Sequence, residues 1–163
     1  MKKVLLIVVL ALLAGSCSDD VIFNNPSVQG LKNNIFWRAL QSKAVLSKDG
    51  SIVIEAQTLK ESLVLHLSST QLNTYQLDDN AIDYVTYTSR ETTPVTSLTT
   101  QSGKGTGKIT ISEYDEENKT ISGTFTVVIP YESADTQESK EFYFSQGVFY
   151  KVPVTLEIIT KTK

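Results

Sequence analysis

A chain of 163 residues has room for one domain and little more. A hydrophobic share of 40% beside 20% charged residues suits a chain that buries a core, and excludes a disordered polar one. Fifteen lysines and arginines stand against 18 aspartates and glutamates, so the basic footprint that binds a phosphate backbone is missing and nucleic acid is excluded as a partner. One cysteine rules out an internal disulfide, and one histidine rules out any site that needs two imidazoles.

The chain opens on a short positive segment, Met1-Lys2-Lys3, followed by an unbroken apolar run over residues 4–14. As a helix rising about 1.5 Å per residue the run covers about 16 Å, against about 30 Å of bilayer hydrocarbon. It is too short to span and has the shape of a signal-peptide core. The segment Leu13-Ala14-Gly15-Ser16-Cys17 then resembles the lipobox of bacterial lipoproteins, with alanine at 14 where that family most often has leucine. The resemblance implies diacylglyceryl transfer to the Cys17 thiol, cleavage between Ser16 and Cys17, and acylation of the new N-terminus. Two or more acyl chains hold a protein durably on a membrane, at about 0.8 kcal/mol per buried methylene. Without residues 1–16 the chain carries 13 basic and 18 acidic side chains, a formal charge of −5.

Ser18-Asp19-Asp20 resembles the surface-export signal of Bacteroidetes lipoproteins, which implies display on the outer face of the outer membrane; a plain polar spacer there leaves the periplasmic face as the alternative. Residues 17–30, with Asn24-Asn25-Pro26, carry turn formers and little periodicity and are expected to form a tether. The expected organisation is signal peptide 1–16, tether 17–30 and β-domain 31–163.

From residue 34 onward the pattern is that of strands. Residues 35–46 and 51–57 are rich in apolar and β-branched side chains, and Ser47-Lys48-Asp49-Gly50 between them is an Asp-Gly hairpin turn. Leu63, Leu65 and Leu67 alternate with Val64, His66 and Ser68, a half-buried strand with its leucines inward. Residues 73–77 and 81–89 follow, then a Thr/Ser/Gly-rich connection over 90–106 holding a short edge strand at 95–98. The clearest hairpin joins 108–114 to 119–130 through Asp115-Glu116-Glu117-Asn118. Residues 132–139 lack any large apolar side chain and are expected to form a loop. Three strands, 141–145, 148–151 and 154–159, close the set, with Gln146-Gly147 as a tight turn. The prediction is all-β: a single antiparallel β-sandwich, with a partly open β-barrel as the alternative.

Three segments carry a further resemblance: Gly107-Lys108-Ile109-Thr110-Ile111-Ser112-Glu113-Tyr114-Asp115, Lys119-Thr120-Ile121-Ser122-Gly123-Thr124-Phe125, and Ser145-Gln146-Gly147-Val148-Phe149-Tyr150-Lys151-Val152-Pro153-Val154. With Phe36-Trp37-Arg38-Ala39 as a first strand, they resemble a family of uncharacterised Bacteroidetes lipoproteins whose shared domain has no known function. The family implies a location and an all-β fold, and no activity. Glycine and phenylalanine in such hairpins point to architecture.

No chemical motif completes itself. Gly103-Lys104-Gly105-Thr106-Gly107-Lys108 resembles a phosphate loop, but Ser102 stands where the first glycine belongs, Ile109 replaces the magnesium-binding hydroxyl, and the loop leads into a strand. His66 lies opposite the leucine face with no activated serine in sight. Asp78, Asp79, Asn80 and Asp83, and Glu113, Asp115, Glu116 and Glu117, crowd two turns without calcium-loop spacing. Asn118-Lys119-Thr120 matches a glycosylation sequon and is explained as a turn. No catalytic residue, metal or cofactor is assigned. The expected role is a non-enzymatic binding or structural module of the envelope, held to the membrane through Cys17 and presenting its β-domain to a protein or glycan. A carboxylate-dependent hydrolase and an apolar-ligand carrier barrel are the alternatives.

Overall fold

The computed structural model describes residues 26–78, 82–91, 95–132 and 139–157. Cys17 and its neighbours Ser16, Ser18, Asp19 and Asp20, and most of the expected loop at 132–139, lie outside them. Among the described residues eleven strands follow one another: β1 (Ser27–Lys32), β2 (Ile35–Arg38), β3 (Gln41–Leu46), β4 (Ile52–Gln57), β5 (Glu61–Leu67), β6 (Thr74–Gln76), β7 (Tyr84–Ser89), β8 (Thr96–Thr99), β9 (Thr106–Asp115), β10 (Thr120–Glu132) and β11 (Ser139–Leu156). A 3₁₀ turn at Gln101–Gly103 precedes β9. All eleven belong to one sheet, ordered β6-β9-β10-β11-β3-β4-β5-β7-β8, with β1 on β11 and β2 on β1. The sheet curls into an open half-barrel, the alternative architecture rather than two stacked sheets. Every pairing is antiparallel except β11 with β3.

The curl originates in β11. The three strands and tight turn expected over residues 141–159 are one strand, and Gln146-Gly147 is a bulge within it. Its buried residues run Phe142, Phe144, Gly147, Phe149, Val152, Val154: steps of two interrupted twice by steps of three. At each interruption one residue of β10 faces two of β11, and the extra residue is left-handed, Gln146 at φ 51° and Lys151 at φ 46°. Such bulges bend a strand while keeping its apolar side inward. After the second bulge β11 leaves β1 and takes up β3, through Val154, Thr155 and Leu156.

The two resembling motifs meet here. Gly123 pairs with Phe149, and Phe125 pairs with Gly147. A β-carbon on Gly123 would stand 2.3 Å from the Phe149 ring and 2.1 Å from the Thr110 carbonyl oxygen; one on Gly147 would stand 2.6 Å from the Phe125 carbonyl. Each glycine thus makes room for the other motif's phenylalanine. The interior is filled by these rings and by Phe144, Ile52, Ile54, Leu63, Leu65, Ile109 and Ile121, all fully buried. That packing leaves an apolar cargo no lumen among the described residues.

The first hairpin was not expected. β1 begins at Ser27, inside the stretch read as tether, and Val28 is fully buried against β11. Asn33 and Asn34, at φ 48° and 65°, close β1 onto β2 in the two-residue turn that asparagine tolerates. The expected strand 35–46 is broken at Ala39 and Leu40 into β2 and β3. The Asp-Gly hairpin between β3 and β4 and the β9–β10 hairpin stand where the sequence places them. Gly50 has φ 89°, and Asp49 caps its turn by accepting from the Ser51 amide and hydroxyl.

Candidate functional site

β5 alternates inward as Glu61, Leu63, Leu65 and Leu67, so its first inward position is a carboxylate. Glu61 is 8% exposed. The β1–β2 hairpin lies over it and brings Lys32 from β1 and Trp37 from β2; Tyr87 comes from the neighbouring β7. The Glu61 Oε1 accepts from the Lys32 ammonium and the Tyr87 hydroxyl. Its Oε2 accepts from the Trp37 indole Nε1 at 2.6 Å, and Lys32 Nζ also reaches the Tyr87 oxygen at 3.3 Å. Rings complete the enclosure: Tyr87 stacks on Phe142 with centroids 4.3 Å apart, and Trp37 meets Phe144 edge-on at 5.3 Å. This joins the first hairpin to the opposite wall of the half-barrel.

Burial by itself would raise the Glu61 pKa; donation from Lys32, Tyr87 and Trp37, with the Lys32 charge, outweighs it and holds the carboxyl below its ordinary range. Burial, then the hydrogen bond to Glu61 and its charge, pushes the Tyr87 hydroxyl up. The cluster therefore keeps an ionised carboxylate and a protonated phenol over the whole neutral range. Both carboxylate oxygens are engaged, and the cluster holds one carboxylate, not the pair that acid–base hydrolysis of a glycoside uses.

A second feature lies on the outer face. Gln41, Ser42, Lys43, Glu55 and Gln57 line a groove of about 400 Å³ on β3 and β4. Lys43 and Glu55 pair across its floor at 3.1 Å. On the same face His66 points away from the leucines, as the alternation predicts, and stacks on Tyr84 with centroids 4.0 Å apart. Burial lowers its pKa, and Glu55 partly opposes that. No nucleophile stands beside it.

The other sequence candidates stay apart. Asp115 accepts from the Asn118 amide and side chain, which lowers its pKa and explains the asparagine as a turn residue. No three His, Cys, Asp or Glu among the described residues converge as metal ligands. The loop before β9 leads into a strand. Of the aromatic residues Trp37, Tyr75 and Tyr87 are buried, while Tyr150 is exposed. Sequence reading passed over Glu61, although a signal was present: a carboxylate in phase with three inward leucines needs a partner.

The model of the family described as "Domain of unknown function (DUF6252)" matches residues 24–153. The chain belongs to this family. The match starts just before β1 and ends inside β11, so the first hairpin and the Gly–Phe interlock are both parts of the DUF6252 domain. No curated protein and no solved structure matches the chain.

Proposed function

We propose that this DUF6252 protein is a Bacteroidetes lipoprotein of the outer membrane, anchored through Cys17, whose β-domain serves as a non-enzymatic binding or structural module at the cell surface. The observation that carries the reading is the run from Met1 to Asp20: positive segment, eleven apolar residues, small residues, cysteine, then Ser18, Asp19 and Asp20. The fold supports the non-enzymatic part. Its buried titratable cluster spends every donor on Glu61, and the barrel interior is filled with side chains.

Mass spectrometry of the membrane-extracted protein tests the anchor, with a mature N-terminus at Cys17 carrying acyl chains as the expected result. Cys17→Ala releases the protein from membranes. An unmodified product, or one that still begins at Met1, overturns the anchor. Protease digestion of intact cells tests the face: the β-domain is cut at the surface, and Asp19→Ala with Asp20→Ala makes it resistant.

A further inference from the structure

The residues beside the Glu61 cluster carry an unusual share of the protein's exposed apolar surface. Ile35 and Phe36 stand just before Trp37, exposed by 69% and 64%; Leu59 stands two residues before Glu61 at 86%. Leu40, at 68%, follows β2, and its amide bonds the Gln57 carbonyl at the start of the turn that holds Leu59. Four large apolar side chains thus flank one cluster on two adjacent turns. The charges among them are cationic. Arg38 and Lys60 are exposed, and exposed Arg90 is joined to Lys60 through its amide. Glu61 is internal and paired with Lys32, which leaves Glu91 as the exposed carboxylate that follows Arg90.

The opposite end of β1 differs. Ser27 pairs with Tyr150, next to Lys151, whose charge acts on Asp115 of the β9–β10 turn with Glu116 and Glu117. In a protein with a formal charge of −3 the cations and the exposed apolar groups collect around the first hairpin, and acidic groups near the point where the N-terminal segment enters.

We infer that the surface formed by Ile35, Phe36, Leu40 and Leu59 docks onto a lipid bilayer with anionic head groups. Apolar tips enter the interfacial region while flanking arginine and lysine meet the head groups. The inference rests on the lipid anchor proposed above. Chain length permits the orientation: residues 18–26 reach about 30 Å when extended, and β1 spans about 20 Å. The anchored chain can run back along β1 and bring the apolar end to the membrane that holds Cys17. The surface then supplies a second contact, fixing an orientation that one flexible tether cannot.

The test uses the acylated mature protein in phosphatidylethanolamine–phosphatidylglycerol vesicles. Cys17 is consumed by lipid, so Phe36→Cys, Leu59→Cys and, for the acidic turn, Glu116→Cys each offer one thiol for a fluorophore. All three sites are exposed, and the labelled variants fold. Brominated acyl chains are expected to quench the label at 36 and 59 at least twofold and leave the label at 116 unchanged; neutral phosphatidylcholine vesicles, or Lys60→Glu with Arg90→Glu, reduce that quenching by half or more. Equal or stronger quenching at 116, or none at 36 and 59, overturns the inference while the anchor stands. A concentration-dependent emission change independent of bromination means a contact between copies and also overturns it. A mass spectrum without acyl groups on Cys17 overturns both.

Discussion

Two regions hold the half-barrel together, by opposite means. Across β10 and β11, Gly123 and Gly147 leave space that Phe149 and Phe125 fill, and no charge is involved. Between the first hairpin and β5–β7, Glu61 takes three donors in the interior and meets the rings of Phe142 and Phe144 through its partners. Shape alone decides the first contact, which is indifferent to pH and intolerant of added volume. The second depends on proton occupancy: ionised Glu61 and protonated Tyr87 are stable together, and either change leaves a buried group poorly matched. The interlock closes the barrel wall, while the ionic cluster positions the hairpin nearest the N-terminal segment.

The comparison breaks most sharply at the interlock. Gly123→Val places carbon within reach of a carbonyl and a ring that cannot both retreat, and is expected to cost about 4 kcal/mol or to prevent folding. Urea unfolding followed by circular dichroism measures it, and a cost under about 1 kcal/mol would remove the interlock from the account. Next comes Glu61→Gln, which keeps the shape and deletes the charge; about 2–3 kcal/mol is expected. The double change Lys32→Met with Glu61→Met should recover most of it, because paired apolar replacements avoid the desolvation cost.

Acid and alkali sharpen the contrast. Glu61 sits below its ordinary value of 4.5, so the stability it contributes is present above that value and is lost as pH falls through the lower folded one. Tyr87 sits above its ordinary value of 10.0, so its contribution is present below 10.0 and is lost as pH rises beyond it. Urea midpoints measured from about pH 3 to about pH 11 should fall at both ends, and Glu61→Gln should flatten the acid limb. Tyr87→Phe is expected to cost about 1 kcal/mol and to flatten the alkaline limb.

The smallest effect belongs to His66 on the outer face. Burial depresses its pKa below 6.5, so the folded state resists protonation and stability declines as pH falls through 6.5. His66→Phe keeps the stack on Tyr84 and should remove the difference in urea midpoint between about pH 8 and about pH 6. An unchanged difference would show that another group carries it.

Much of this was legible before the structure. Alternation placed the leucines of β5 inward and His66 outward, Asp49-Gly50 closed its hairpin, and Asp115 to Asn118 closed the longest one. The apolar-glycine motifs announced architecture, though not that they face each other. Less visible were the break of residues 35–46 at Leu40 and the continuity of β11 through Gln146-Gly147, because a bulge and a turn draw on the same residues and only the partner strand distinguishes them. The β1 strand escaped for a similar reason, since its evident inward residue, Val28, gains its place by pairing with residues more than a hundred positions away.

By itself, then, the order of residues determined the strand content, the local turns, the charge and the segment around Cys17 from which the anchor is argued. Those properties depend on neighbours within a few positions: side-chain alternation, turn chemistry, an apolar run ending at a cysteine. The tertiary structure decided that the sheet is one curled surface and that Lys32, Trp37 and Tyr87 converge on Glu61. It also gathered the exposed apolar side chains around the first hairpin. Each of those rests on strands distant in sequence being brought together, and the energy of a buried charge or a packed ring exists only once its partner has arrived.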